Sequence, residues 1–487
     1  MTTQGDVVPS FRSRRDASAA ASSDEPLLAR ARRWLPTRFP ELAIVLFGIA
    51  LRISLGRWYH VQGGYDFAAH EEYLRYVQQH GAIPPYDMNF SAYNPALYYA
   101  LGALMLKLGF SIQALGAISI VSSSIQVLLV WLGAELYLPK SRFARVLTLA
   151  LSVVVPASVH VAGLVSNQGL NDVFCVGAIL LMPQVFRRRG RAALACAAGA
   201  GACLGLALLT KVSGAAVFLA FVLAVGIAIV RARPGEDVAR RLLPGAALFF
   251  AVVGVVCGWH YARHKLMYGK FVLVAYDPFT EIDDVFKIPY LDRRTLGFVG
   301  YWDDAIYRYP FWPSAVRPRP RFGPVLVATT FSDYYNFAFV PPPKPGVPSV
   351  TANGRPMRAA ALPFACASVV AGTALALLSV IAGALALRRL WRRGDDGRLV
   401  LLFVPLCAVA LQLHFAVRFS NDISGPIKAS YLQFAAPVFC GLVALAIDAL
   451  WKRRGLAARA LAIAGMASIA IVAAYTIYAR IIVPIAS

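Results

Sequence analysis

The residues best suited to chemistry in this chain lie in one polar segment, residues 65–101, just after the first long apolar run. Asp66, His70, Glu71 and Glu72 fall within seven residues of one another. A carboxylate there could act as a general base toward a hydroxyl group, or as a ligand of a divalent metal ion. Because ionisable groups are costly to place beside a membrane, such a cluster at the mouth of a membrane bundle indicates a functional site.

Each of these residues has an alternative interpretation. Asp66 precedes a helix-like stretch, and aspartate is a favoured N-cap, so capping the helix is the alternative to catalysis. His70 follows four residues later, on the same helical face as Asp66 if the helix starts early. The two could hold a divalent ion together, but two ligands do not complete a metal site. Glu71 and Glu72 are typical of a solvated helix face.

The composition indicates an integral membrane protein. Of the 487 residues 58% are apolar, and the mean hydropathy is +0.60, whereas soluble domains are about 45–50% apolar. The net charge is +23, but the basic residues form short clusters between apolar runs, as in cytoplasmic loops that obey the positive-inside rule. No basic face or recognition motif indicates nucleic-acid binding, which we do not expect. The seven cysteines all fall in apolar runs and are typical of buried hydrophobic residues.

The apolar segments and the basic junctions together predict the topology. The apolar segments are 41–58, 113–137, 143–164, 168–186, 192–209, 211–231, 241–262, 358–388, 398–418, 429–451 and 457–484. The basic clusters fall on alternate junctions only if residues 95–110 do not span the membrane. Their length, about 16 residues, suits a helix that lies on the membrane surface, and residues 71–79 would form a second one. We therefore predict an all-α polytopic bundle of about 11 transmembrane helices with two interfacial helices in the first outer loop.

This topology divides the chain into four regions. Residues 1–40 are predicted to be a disordered basic cytoplasmic tail, and residues 41–262 a transmembrane module that includes the outer loop 59–112. Residues 263–357 form a large outer loop, rich in proline and aromatic residues, that we expect to cover a substrate or bind an acceptor. Residues 358–487 form a C-terminal transmembrane module. The predicted location is the plasma (inner) membrane, with the N-terminus cytoplasmic and the active site on the outer, periplasmic face.

Further polar residues fall at the predicted outer face. Asn167 lies at the start of the fourth span, where its side chain could either form helix–helix hydrogen bonds or bind substrate. Lys211 stands between two apolar runs, and either snorkels to the surface or binds a phosphate. Arg263 and His264 end a span at a boundary where the positive-inside rule does not favour cations, which indicates an anionic ligand. A similar cluster lies between the ninth and tenth spans: Arg418, Asn421, Asp422, Lys428 and Tyr431.

The order of several short motifs carries a family resemblance. After the first-loop aspartate and its AH pair come YNPALYY in a surface helix, SNQGLND at a span start, GLALLTKVSG at an outer turn, GWHYARHKLMYG at a span end and ASYLQFAAP in a late span. In order and placement these motifs resemble the GT-C superfamily of integral membrane glycosyltransferases. The members they resemble are those like the dolichyl-phosphate-mannose protein mannosyltransferases and the aminoarabinose transferases. The resemblance covers most of residues 41–450.

What this resemblance implies is transfer of a sugar from a polyprenyl-phosphate carrier to a lipid, glycan or protein acceptor of the cell envelope. Asp66 corresponds to the family's acidic residue, as base or metal ligand, and Lys211 and Arg263 to the cations that bind the lipid phosphate. His70, Asn167, His264 and Tyr431 are the other predicted substrate-binding residues. Many members carry a paired acid in this loop, but here the residue after Asp66 is Phe67. His70 is therefore the hypothetical second ligand of a divalent metal ion.

Two other functions remain open from the sequence. A transporter or flippase of a lipid-linked sugar would also present polar groups at one face, although the chain shows no internal repeat of the kind common in transporters. A ligase or polymerase of surface polysaccharide would use the same carrier with a glycan acceptor. If the protein is a transferase, we predict that displacement of the phosphate inverts the configuration at the sugar carbon. Asp66 would be the base, and the cations would neutralise the leaving phosphate.

Overall fold

The computed structural model describes residues 27–58, 66–89, 91–232, 238–274, 290–308, 310, 321–332, 361–419 and 427–478. Within these ranges the chain is helical and contains no β-strand. Most of the predicted cytoplasmic tail lies outside the described residues, as do large parts of the predicted loop 263–357. Asn421 and Asp422 also lie outside them.

The helices are numbered here in chain order. They are α1 Leu27–Trp58, α2 Phe67–His80, α3 Leu97–Lys107, α4 Gly116–Tyr137, α5 Arg142–Val154, α6 Pro156–Ala162, α7 Gln168–Arg187, α8 Gly190–Leu208, α9 Ala215–Val230, α10 Val238–Tyr268, α11 Tyr290–Arg293, α12 Leu296–Val299, α13 Phe322–Phe331, α14 Ala361–Arg393, α15 Asp396–Arg418, α16 Ala436–Trp451 and α17 Leu456–Ile477. Short 3-10 turns precede α4, α9 and α16.

In the described part of the chain, nine helices are long and apolar enough to cross a membrane, or ten if α5 and α6 form one span. The predicted polytopic all-α bundle is therefore confirmed, but the predicted count of 11 spans is not. The remaining predicted span, 41–58, belongs to α1, which begins at Leu27, within the segment predicted as the tail. The two helices predicted to lie on the surface are α2 and α3, both too short to span a membrane.

The predicted span 143–164 is broken rather than continuous. Helix α5 ends at Val154, and α6 begins at Pro156 at an angle of 54°. Proline has no backbone N–H to continue the hydrogen-bond ladder, and its ring clashes with the preceding turn, so it breaks the helix here. The bend turns the chain inward, where His160 and Leu164 are buried.

Helix α7 runs through the middle of the bundle and is the most buried of the candidate spans. It packs against α4, α8 and α15. Close packing of the neighbouring pair α8 and α10 depends on Gly201, because an added Cβ there would lie 2.7 Å from the carbonyl oxygen of Phe249. At one end of α7 lie Gln168 and Lys211, and at the other lies Arg187. We call these the lysine end and the arginine end of the bundle.

Candidate active site

Asp66 begins the site, at the residue before helix α2. Its backbone has φ 55° and ψ 25°, in the left-handed region, and it is the one non-glycine residue with positive φ among the described residues. Its side chain makes no capping hydrogen bond, so the alternative in which Asp66 caps the helix is wrong. An L-residue in this region is strained, and such strain is concentrated at functional sites. The carboxylate is not used by the helix and lines a pocket at the lysine end of the bundle.

Two lysines line the same pocket as this carboxylate. The Nζ of Lys428 lies 3.8 Å from Oδ2 of Asp66. The Nζ of Lys211 lies 4.5 Å from the ring centroid of Tyr431, and the Nζ of Lys428 lies 5.9 Å from the same centroid. Two ammonium groups therefore lie close to one aromatic ring at the same pocket, and its electron-rich face offsets part of their mutual repulsion.

The charges of the pocket shift one another's pKa values. Burial acts to raise the pKa of Asp66, but the positive charges around it, Lys428 first, outweigh burial and hold this pKa below its ordinary value. Burial lowers the pKa of Lys211 to about 8, although Asp172 and Asp66 act to raise it. Near neutral pH the site thus holds a carboxylate and a protonated lysine whose proton is more easily lost than usual.

Tyr431 and Lys428 are held in place by a 3-10 segment, Ala429–Ala435, which lies buried between helices. The amide of Ala429 donates to Thr329 Oγ1 at 3.1 Å. The side chain of Gln433 donates to the carbonyl of Ala429 at 2.7 Å and bonds to Ser158. Since side chains from two other helices fix this segment, the lysine and the tyrosine are presented by a rigid support.

His70 lines the pocket and is buried. Its Nδ1 is 2.7 Å from the hydroxyl of Tyr99, whose ring stacks on Tyr73 with 3.6 Å between centroids. Burial, aided by the two lysines, lowers the pKa of His70 to about 4, although Asp66 acts in the opposite direction. His70 is therefore neutral near pH 7, with one ring nitrogen used by Tyr99.

Asn167 and its neighbour Gln168 form the buried wall of the pocket. The amide nitrogen of Asn167 donates to the carbonyl of Thr210 at 3.3 Å, and that of Gln168 donates to Asp172 at 2.7 Å. Because each nitrogen faces an acceptor, the orientation of both amides is fixed. The Asn167 bond also ties the start of α7 to the turn that carries Lys211. The sequence interpretation missed Gln168.

The structure thus brings five of the seven predicted site residues to one pocket and leaves two outside it. Asp66, His70, Asn167, Lys211 and Tyr431 all line the pocket. Its volume is about 30 Å³.

Arg263 and His264 lie near the end of α10 and do not line this pocket. His264 is buried and its ring contacts that of His260, with 4.2 Å between centroids. Arg263 acts electrostatically on Tyr73 of helix α2. The second cation at the pocket is instead Lys428. The criterion that indicated Arg263 in the sequence applies equally to Lys428, because both are cations at a boundary where the positive-inside rule does not favour them.

The predicted divalent metal ion can be tested against the donors present. Among the described residues no three His, Cys, Asp or Glu side chains are grouped so that they could hold a metal ion. Asp66 faces Lys428, and His70 uses Nδ1 for Tyr99. A hard divalent cation takes about six oxygen ligands, so this donor set does not fit it, and the charge opposite Asp66 comes from lysine.

A second, apolar groove runs between α4, α7 and α8, with a volume of about 950 Å³. Leu170 and Val173, on the first turns of α7, line one end of it, and Arg188 lines the other. Leu170 is three residues from Asn167, less than one helical turn. Several lining side chains on α4 are exposed, including Val121 and Leu132, so the groove opens to the surface of the bundle.

Comparison with known proteins identifies the fold. No family model matches the chain, and no curated protein matches its sequence. The archaeal oligosaccharyltransferase AglB from Archaeoglobus fulgidus, solved with an inhibitory peptide and a dolichol-phosphate, matches with a TM-score of 0.52 and 13% identity. The match covers 92% of this chain and 56% of that one.

A second structure of the Archaeoglobus fulgidus oligosaccharyltransferase, tethered to an acceptor peptide, gives a TM-score of 0.52 at 15% identity over 93% of this chain and 55% of that one. ArnT from Cupriavidus metallidurans, bound to undecaprenyl phosphate, gives 0.48 at 13% identity over 92% of this chain and 76% of that one. The chain spans a little over half the length of the oligosaccharyltransferase it matches. The predicted architecture is confirmed: the chain has a GT-C-like fold.

Proposed function

We propose that this protein is a membrane glycosyltransferase that moves a sugar from a polyprenyl-phosphate carrier to a hydroxyl group of an acceptor. One observation carries the proposal: the strained residue Asp66 directs its carboxylate at Lys428, in a pocket that also holds Lys211. A base and two cations around one cavity are the groups that transfer from a phosphate leaving group requires.

The two lysines bind the donor phosphate. Lys211 and Lys428 lie over the ring of Tyr431, and a phosphate next to this ring would contact both ammonium groups. As the bond between the sugar C1 and the phosphate oxygen breaks, negative charge grows on the phosphate. Preorganised cations stabilise that charge more in the transition state than in the bound donor, which lowers the barrier.

Asp66 is the general base. Its low pKa keeps it ionised near neutral pH, ready to take the proton of the acceptor hydroxyl. The acceptor oxygen then attacks C1 from the face opposite the phosphate, so the configuration at C1 inverts. The leaving phosphate departs as an anion and needs no proton, so one carboxylate is sufficient for this reaction.

The apolar groove between α4, α7 and α8 suits the prenyl chain of the carrier. It has a volume of about 950 Å³ and begins less than one helical turn from Asn167, at Leu170. Within a membrane the prenyl chain leaves lipid rather than water, so van der Waals packing against the groove would hold it there. A long prenyl chain there would anchor the donor while its phosphate lies at the lysine pocket.

The acceptor is a lipid, glycan or protein of the cell envelope, and the reaction takes place at the outer face of the plasma membrane. The charge distribution supports this orientation. Arg187 and Arg392 lie at the opposite end of the bundle from Asp66, and arginine-rich junctions favour the cytoplasmic side.

The test is to incubate the purified full-length protein with polyprenyl-phosphate sugars and measure released polyprenyl phosphate. We expect release with the wild type, none with Asp66→Asn, and normal release with Asp87→Asn. Asp87 is a matched control, since it is exposed and lies in the same loop region outside the pocket. A transporter would move the intact donor without releasing the phosphate, so transport without release would refute the proposal, as would full activity of Asp66→Asn.

A further inference from the structure

A second charged cavity lies at the arginine end of the bundle, where α7 meets α8, α9 meets α10 and α14 meets α15. Its volume is about 1180 Å³. We call it the arginine basin, after the arginines that line it: Arg187, Arg189, Arg231, Arg240, Arg241, Arg392 and Arg393. These residues come from three separate junctions of the chain, so the fold gathers them around one cavity.

The acidic residues of the basin are already paired. Asp396 contacts Arg231 at 2.9 Å, and Asp395 contacts Arg398 at 3.4 Å. Within the described ranges, no ion pair involves any of four lining arginines, Arg187, Arg189, Arg392 and Arg393. The basin therefore carries several positive charges that no described carboxylate offsets, and it presents a strongly positive potential.

A nearby junction shows that this arrangement is not a general property of the arginine end. Arg38 and Arg145 contact Glu135, and Arg142 contacts the buried Glu41. The positive-inside rule accounts for arginines at both places. It does not account for the difference between them, since one cluster is neutralised by glutamates and the other surrounds an open cavity.

The surroundings of the basin indicate which anion it binds. Its arginines lie at the ends of helices that are long and apolar enough to cross a membrane. Apolar side chains beside them face outward: Val230 is 85% exposed, Leu243 49% and Trp391 47%. These residues would contact acyl chains. Arginine matches the geometry of phosphate, and basic pockets between membrane helices suit anionic headgroups.

We propose that the arginine basin binds the phosphate headgroup of an anionic membrane lipid. The headgroup lies between the arginines of the α7–α8 and α14–α15 junctions, and its acyl chains extend along the apolar residues at the rim. The bound lipid links helices from the two halves of the chain. This site is separate from the lysine pocket, so it does not depend on the proposed transfer reaction.

The test measures binding of phosphatidylglycerol and of phosphatidylcholine to the purified full-length protein by native mass spectrometry. We expect the wild type to retain phosphatidylglycerol in preference to phosphatidylcholine. The variant R189Q/R392Q/R393Q should bind phosphatidylglycerol at least about tenfold more weakly. All three side chains are exposed, so the variant should fold; its melting temperature in detergent would check this.

The control variant is R453Q/R454Q/R459Q, which removes the same charge from exposed arginines outside the basin. It should bind phosphatidylglycerol as the wild type does. Equal losses in the two variants would overturn the proposal, because the effect would then be one of net charge. Glycerol phosphate has the same phosphate without acyl chains, and equally tight binding of it would overturn the assignment to a lipid.

Discussion

The Nζ of Lys428 lies 3.8 Å from Oδ2 of Asp66, and the lysine side chain is only 12% exposed whereas that of the aspartate is 37% exposed. The contact joins a late segment of the chain to the residue that precedes α2. The ammonium group of Lys428 thus has two partners: the Asp66 carboxylate in the present structure, and the donor phosphate in the proposed reaction. Because the pocket holds only about 30 Å³, we expect donor binding to draw Lys428 away from Asp66.

Replacing Lys428 should therefore affect both donor binding and the base. We expect Lys428→Gln to lower kcat/KM for the donor about 10- to 100-fold, as is typical when a hydrogen bond to a charged group is lost. The pKa of Asp66 should rise, because the first of the positive charges that lower it is gone, and the acid limb of the pH–rate profile should move to higher pH. Lys107→Gln is the control, since Lys107 is exposed on α3. An unchanged acid limb would contradict this role.

Lys211 should set the alkaline limit of activity. Burial lowers its pKa to about 8, so its ammonium charge is present below that pH and is lost as the pH rises through it. If the charge binds the donor phosphate, kcat/KM should fall above about pH 8. Lys211→Arg keeps its charge at any accessible pH and should move this limb upward. Rates measured from about pH 6 to about pH 10 would test this role. An alkaline limb at the same pH in Lys211→Arg as in the wild type would contradict phosphate binding by Lys211.

Much of the fold follows from the sequence, because hydropathy and alternating basic junctions reflect the membrane directly. The two surface helices followed from one such constraint: counting residues 95–110 as a span would have placed later basic loops outside. The break at Pro156 was missed, since residues 143–164 are apolar throughout and hydropathy does not report hydrogen-bond geometry.

The pocket could be predicted only in part. Asp66 and Lys211 stand out because a charged residue next to an apolar run can be recognised from the sequence alone. Lys428 also stands out as a cation at the outer face, but its contact with Asp66 cannot be predicted, because that contact depends on how distant segments pack. The left-handed backbone of Asp66 is equally hidden, since an aspartate before a helix is typical of an N-cap and nothing in the sequence marks a positive φ there.

That backbone conformation has a measurable cost. Asp66→Gly and Asp66→Ala both remove the carboxylate, so both lose its interaction with Lys428. They differ in tolerance of φ 55°, which glycine adopts freely and alanine does not. We expect the glycine variant to be more stable by about 1–2 kcal/mol, measured by thermal unfolding in detergent. Asp87 has no positive φ, and glycine there should give no such advantage. Equal stability of the two Asp66 variants would show that the strain is absent.

The neutral His70 should make the protein less stable in acid. Burial lowers its folded pKa to about 4 from an ordinary value of 6.5, so the unfolded chain binds the proton more readily between these values. Its contribution to stability is thus fully present above about pH 6.5 and is lost as the pH falls toward 4. We expect the melting temperature of the wild type to fall more between about pH 7 and about pH 5 than that of His70→Asn. His80→Asn, at the exposed end of the same helix, should retain the wild-type slope; the same slope in all three proteins would mean that His70 is not held neutral.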